Sequence, residues 1–130
     1  METKKPLIFF ILFIFSSLTT SCGGKQVLEE EFDSLTWKND KLGCNNERFA
    51  LVKQFQNIRP KLMGKQEGEI RKLLGSPDQV ELYERSQKFY IYYIEKGSQC
   101  EGAKSGIASK NFYIRFNSLN QVSEITQQNF

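Results

Sequence analysis

The chain has 130 residues, eighteen Lys and Arg against fifteen Asp and Glu, and no histidine. The missing imidazole excludes a Ser-His-Asp or Cys-His site within the chain and removes the commonest general base and metal ligand; the three cysteines stand at no recognisable zinc spacing. A net charge of +3 without a clustered basic run gives no electrostatic case for nucleic acid, so the expectation is a non-enzyme that binds no cofactor, metal or nucleic acid, with only Asp, Glu, Lys or Tyr chemistry left open.

Lys4 and Lys5 precede the unbroken apolar run Leu7 to Phe15, and small, mostly polar residues follow from Ser16 to Ser21, ahead of Cys22. A positive start, a short apolar core and a small-residue cleavage region describe a secretory signal peptide over residues 1–21. The run is too short to cross a bilayer as a helix, which takes roughly 20 apolar residues. A cysteine at the cleavage point resembles the lipobox of bacterial lipoproteins, in which that residue becomes the acylated N-terminus. Ser21, Gly23 and Gly24 fit the pattern, whereas Thr19 stands where an aliphatic residue is usual. The resemblance implies lipidation of Cys22 by palmitate-type chains, with the membrane as a partner; two or more chains anchor stably where one does not. A cleaved signal with an incidental cysteine is the other reading. Beyond residue 21 the chain keeps sixteen basic and fourteen acidic side chains and has the length of one small domain.

With Cys22 acylated, Cys44 and Cys100 remain as an even pair, and an oxidising compartment favours a disulfide between them. Such a bridge closes a long loop and stabilises by about 4 kcal/mol on the chain-entropy model. Two buried free thiols are the alternative; a redox role has no C-x-x-C pair to support it.

Residues 23–31, GGKQVLEEE, read as a tether that spans ~30 Å when extended. Glu29, Glu30 and Glu31 make it a solvated spacer or, alternatively, a sorting signal for surface export. In FDSLTWKNDKLGC, residues 32–44, Trp37 either packs onto the domain or contacts a partner. The expected division is signal peptide 1–21, lipidated cysteine and tether 22–43, and a single domain 44–130.

Residues 46–59 carry Phe49, Leu51, Val52, Phe55 and Ile58, and positions 48, 51, 52, 55 and 58 approximate the i, i+3, i+4, i+7 spacing of an amphipathic helix. Asn45 or Asn46 can cap it, and Pro60 marks its end. A second helix carries Ile70, Leu73 and Leu74 on one face, with Glu67 and Glu69 in its first turn and Arg71 and Lys72 near its last, both favourable to the helix dipole. Gly75 and Pro77 stop it. Four strands follow, over 79–85, 88–95, 111–117 and 121–127. In the third, Phe112, Ile114 and Phe116 face the core while Tyr113 and Arg115 face out. The second is apolar on both faces and suits a central position. The loop 97–110, rich in Gly, Ser and Lys, holds Cys100 as its staple.

Helix, helix and four antiparallel strands make an α+β domain, with two N-terminal helices packed on one face of a sheet of three to four strands. Tyr90, Tyr92 and Tyr113 with Arg115 form the expected outward partner surface, because Tyr and Arg are enriched at interface centres. Strand tyrosines that cover a sheet without binding anything are the alternative.

Gly64, Glu69-Ile70, Leu73-Leu74-Gly75-Ser76-Pro77 and Phe89-Tyr90, followed by the turn from Phe116 to Val122, resemble the small outer-membrane lipoproteins of the SmpA/OmlA (BamE) type. Gln66 stands where that family has a Ser or Thr cap. Asn120 stands where it has the hairpin glycine, and Asn tolerates that conformation. The resemblance implies a β-lactamase-inhibitor-like α+β fold and a non-catalytic scaffold on the periplasmic face of the outer membrane of a bacterial cell envelope, assisting the assembly of β-barrel proteins or envelope integrity. Residues 32–44 and the Cys44/Cys100 pair fall outside the pattern. The alternative function is an inhibitor-like or other binding module directed at a soluble envelope partner, since fold transfers better than function.

Overall fold

A computed structural model of the protein describes residues 26–129. Cys22 and the signal segment lie outside the described residues. Helices α1 (Gln26–Glu31), α2 (Ser34–Asn39), α3 (Glu47–Ala50), α4 (Val52–Leu62) and α5 (Glu67–Leu74) precede strands β1 (Gln79–Tyr83), β2 (Gln87–Tyr93), β3 (Lys110–Phe116) and β4 (Val122–Asn129); a single 3₁₀ turn, Lys41–Gly43, lies between α2 and α3. The protein is thus α+β, with one four-stranded antiparallel sheet in the order β1-β2-β3-β4. No helix among the described residues is long and apolar enough to cross a membrane.

Of the apolar residues expected on the first long helix, Leu51, Phe55 and Ile58 are buried, Val52 is partly buried and Phe49 is exposed. Leu51, Phe55, Ile58 and Leu62 join Ile70, Leu73 and Leu74 of α5 and Tyr90, Tyr92, Phe112, Ile114 and Phe116 of the sheet in one apolar cluster. At its centre the Phe55 and Phe112 rings stack 4.2 Å apart, and Trp37 stacks on Phe55 at 5.4 Å. The helix itself departs from expectation twice. It divides at Leu51 into α3 and α4, and α4 runs through Pro60 to Leu62. Proline deprives only the Gln56 carbonyl of its helical donor, near the helix end, and the continued turn brings Leu62 fully into the core. Neither Asn45 nor Asn46 caps α3. Asp40 does so from a distance, its Oδ1 accepting the Asn45 N–H at 2.9 Å and its Oδ2 the Arg48 N–H at 3.0 Å.

α5 matches its sequence reading closely. Glu69 accepts the Gln66 N–H at 3.0 Å, closing the N-terminal turn. Gly75 ends the helix at φ 77°, ψ −172°, a backbone region open essentially to glycine alone.

The division between tether and domain at residues 43 and 44 is corrected. Phe32 and Trp37 are completely or almost completely buried and belong to the core cluster, and Leu28 reaches it as well. The acidic run 29–31 ends in helix α1, where Glu31 pairs with Lys61 at 2.6 Å on the surface. Trp37 is a core residue, so the reading of it as a partner contact falls. Asp33 caps α2 by accepting the Thr36 N–H at 3.0 Å, and the Thr36 hydrogen bonds hold its carboxyl below the ordinary aspartate value.

The agent that draws residues 32–45 onto the sheet is Arg48, 1% exposed. Its Nε donates to the Trp37 carbonyl at 2.9 Å and its Nη1 to the Tyr93 carbonyl at 3.0 Å. The same Nη1 makes an ion pair with Asp78. The guanidinium lies over the rings of Trp37 and Tyr92, 5.2 and 5.8 Å from their centroids. Asp78 also accepts the N–H groups of Leu42 at 3.1 Å and Tyr93 at 2.9 Å. One buried ion pair therefore ties α2, the 3₁₀ turn, α3, the approach to β1 and the end of β2. Gly43, at φ 65°, lets the turn lie against β2; a Cβ there would come within 2.8 Å of the Tyr93 carbonyl oxygen.

Cys44 and Cys100 form a disulfide with Cα atoms 5.7 Å apart, inside the normal range. It links the start of α3 to the loop between β2 and β3.

Two outcomes test this arrangement. Asp78→Ala leaves the Arg48 charge buried and unpaired and should cost ~3–5 kcal/mol in chemical denaturation; Arg48→Met with Asp78→Ala together should cost less than the sum of the two single changes. Reduction of the Cys44–Cys100 bond, or Cys44→Ser with Cys100→Ser, should lower stability by about 4 kcal/mol on the chain-entropy model, read from the same denaturation curves with and without reductant.

Candidate protein-binding face

Successive strand side chains alternate between the two faces of a sheet, and directly opposed residues on neighbouring strands share a face. The register Tyr92↔Phe112 and Tyr90↔Ile114 therefore places Tyr90 and Tyr92 on the core side with Phe112 and Ile114. This corrects the expected partner surface: Tyr90 is 2% and Tyr92 0% exposed. Their hydroxyls cross the core to α5, where Tyr90 donates to the Glu67 carboxylate and Tyr92 donates to the Gly75 carbonyl at 2.8 Å. A tyrosine suits such a position because its ring is apolar and its tip needs a partner. Burial raises the Tyr92 hydroxyl pKa above the ordinary value, opposed mainly by Arg48.

Tyr113 and Arg115 lie on the opposite face, with Phe89, Ile91 and Tyr93 of β2 and Gln79, Glu81 and Tyr83 of β1, but Tyr113 and Ile91 are buried there rather than presented to solvent. Across the strands the register aligns Glu81, Phe89, Arg115 and Glu124 in one row. The Arg115 guanidinium lies 5.9 Å from the Phe89 ring centroid, bonds Gln87 Oε1 through Nε at 2.9 Å, and sits 3.6 Å from the Glu124 carboxylate. Tyr83, Phe89 and Tyr113 form a chain of ring contacts, with centroids 6.0 and 5.9 Å apart. Tyr113 donates to Glu81 at 3.3 Å and Tyr93 to Gln79 at 3.2 Å.

The result is a patch of aromatic rings in which the Tyr93 and Tyr113 hydroxyls are already engaged, a guanidinium is held in place, and the rim is partly exposed. Tyr83 is 59% exposed, while Tyr113 is at 9%. Side chains fixed before a partner arrives lose little entropy on binding. The face was half legible in the sequence: β3 gave Tyr113 and Arg115 by alternation, whereas the two apolar faces of β2 gave no means of choosing between Tyr90/Tyr92 and Phe89/Tyr93. The register to β3 would have decided it, and the long connection between the strands conceals that register.

Beside this face, a cleft of about 310 Å³ opens between the end of β2 and the disulfide-tied loop, lined by Tyr93, Ser98, Gln99, Ile107 and Ser109. It holds no charged side chain. Among the described residues no group of three or more Cys, Asp or Glu is placed to hold a metal ion. No family model, curated protein or solved structure matches the chain.

Tyr113 gives the face a pH signature. Burial, and then the neighbouring Glu81 carboxylate, push its hydroxyl up to about 12, against about 10 in an unfolded chain. Between these pH values the unfolded chain has released the proton and the folded chain still holds it, so stability falls as pH rises from about 10 to about 12 and then levels. Tyr113→Phe should make the denaturation midpoint fall less steeply across that window, and phenolate absorbance of the wild type should show a tyrosine titrating well above its unfolded value.

Proposed function

We propose that this chain is a lipid-anchored protein of a bacterial cell envelope that acts by binding another protein and not by catalysis. Cys22 carries the acyl anchor. The domain stands on the periplasmic side of the outer membrane, as an accessory to the assembly of β-barrel proteins or to envelope integrity. The lipobox-like start and the likeness of residues 62–94 to the SmpA/OmlA (BamE) pattern support place and role. The observation that carries the reading is the face bearing Phe89, Tyr113 and Arg115, which lies opposite the core side of the sheet. Arginine and tyrosine of this kind dominate interface energetics. The reading includes a two-layer arrangement in which the helices pack on the core side of the sheet and the accessible part of the other side, at Tyr83, Phe89 and Arg115, is left to the partner. The single cluster shared by α4, α5 and the sheet supports this.

Affinity purification from detergent-solubilised membranes tests the role. Barrel-assembly proteins should co-purify with the wild-type chain, and Tyr113→Ala with Arg115→Ala should reduce their yield at least about tenfold, the effect of a loss of ~1.4 kcal/mol. An unchanged yield from the double variant would exclude this face; a soluble partner in place of barrel-assembly proteins would favour the inhibitor-like function. Cys22→Ser should move the protein from the membrane to the soluble fraction, and full membrane retention would remove the anchor.

A further inference from the structure

The sheet has two edge strands, and the chain treats them differently. At β4 it covers the first half of the edge, from Gln121 to Ile125, with its own backbone and one arginine. Gly64 N–H donates to the Val122 carbonyl at 2.9 Å, and Val122 N–H donates to the Lys65 carbonyl at 2.9 Å. Gln66 bridges Gln121, and Arg59 Nη2 donates to the Ile125 carbonyl at 2.6 Å. At β1 nothing comparable is present among the described residues. Among the described residues β1 pairs with β2 alone, and all five of its residues are exposed. They include Val80 at 48%, Leu82 at 82% and Tyr83 at 59%.

An edge strand with unpaired backbone and exposed apolar side chains is a template for another strand, and stable proteins blunt such edges unless they use them. β1 carries one charge, Glu81. Its carboxylate accepts from Tyr113 and has no cationic partner within 4.0 Å among the described residues. Val80 and Leu82 flank it on the other side of the pleat.

We infer that β1 receives, along its free edge, an extended segment of another protein with the alternation apolar–basic–apolar, the Lys or Arg opposite Glu81 and the apolar residues beside Val80 and Leu82. Main-chain hydrogen bonds extend the sheet by one strand, the apolar pairs bury Val80 and Leu82, and the basic residue neutralises Glu81. A second copy of this chain fits poorly. The antiparallel register that sets Val80 against Leu82 also sets Glu81 against Glu81, and like charges directly opposed destabilise a strand pair. The inference rests on the reading of this protein as a protein-binding module and names the form of the partner's contact.

Hydrogen–deuterium exchange of the full chain in detergent micelles tests it, with acetyl-Ser-Thr-Ile-Lys-Val-Thr-Ser-amide as the probe. At about ten times its Kd the peptide should slow exchange over residues 79–83 roughly tenfold, and the same peptide with Glu in place of Lys should not. Glu81→Lys, a change at an exposed position, should reverse the preference between the two peptides. No slowing at β1 with millimolar probe, equal slowing by both peptides, slowing confined to β4, or probe-free protection of β1 that grows with protein concentration would each overturn the inference. If the edge is silent while the Tyr113/Arg115 double variant still loses its partners, the binding role stands and only the edge contact is lost.

Discussion

A guanidinium enclosed by two aromatic rings governs how this domain is put together. Burying a charge is costly unless it is paired and hydrogen-bonded, and Arg48 can satisfy its donors only if three separate stretches meet around it: the Trp37 carbonyl from α2, the Asp78 carboxylate ahead of β1 and the Tyr93 carbonyl at the end of β2. A buried ion pair is weak evidence for stability when compared with an apolar substitute. Its contribution here is placement. Asp78 spends its remaining acceptor capacity on Leu42 and Tyr93, and Asp40 spends its own on the start of α3. The irregular segment between α2 and α3 thus has few alternatives to the path it takes. The disulfide at Cys44 and the close approach at Gly43 fasten the same corner.

That corner explains which parts of the structure were legible in the sequence. α5 was readable because every signal was local: acidic residues first, an i, i+3, i+4 apolar set, then Gly75 and Pro77. The strands were readable by alternation, and Asn120 takes the left-handed turn, at φ 58°, that its position demands. Residues 32–43 were not readable, because the one local signal, the Asp33 cap on Thr36, opens a helix of only six residues; the rest of their structure is imposed by Arg48, Asp78 and the aromatic cluster. A signal was present at Arg48, a charged residue on an otherwise apolar stripe, but its partner lies thirty positions on, in a stretch that reads as a simple turn. Pro60 misled for a related reason: the burial of Leu62 outweighs the lost helical hydrogen bond.

The two sides of the sheet divide the labour. On the core side, tyrosines span the interior and find acceptors at the ends of α5. On the other, aromatic rings alternate with charged and amide side chains that already hold one another. Under the proposed role, a partner would meet side chains whose conformations are fixed by cross-strand neighbours. The exposed β1 edge borders the same face, so a strand joined there would extend the aromatic patch sideways.

The burial of Leu28 sets a limit on movement. A chain fixed at residue 22 reaches the start of helix α1, Gln26, four residues on, a leash of at most ~14 Å. A domain of this length is roughly 25–35 Å across. The leash is shorter than the body it holds, so an anchored domain could rock and swivel about its attachment but could not roll freely to offer every side to the bilayer surroundings. Partners would have to approach within the small range of tilts that remains.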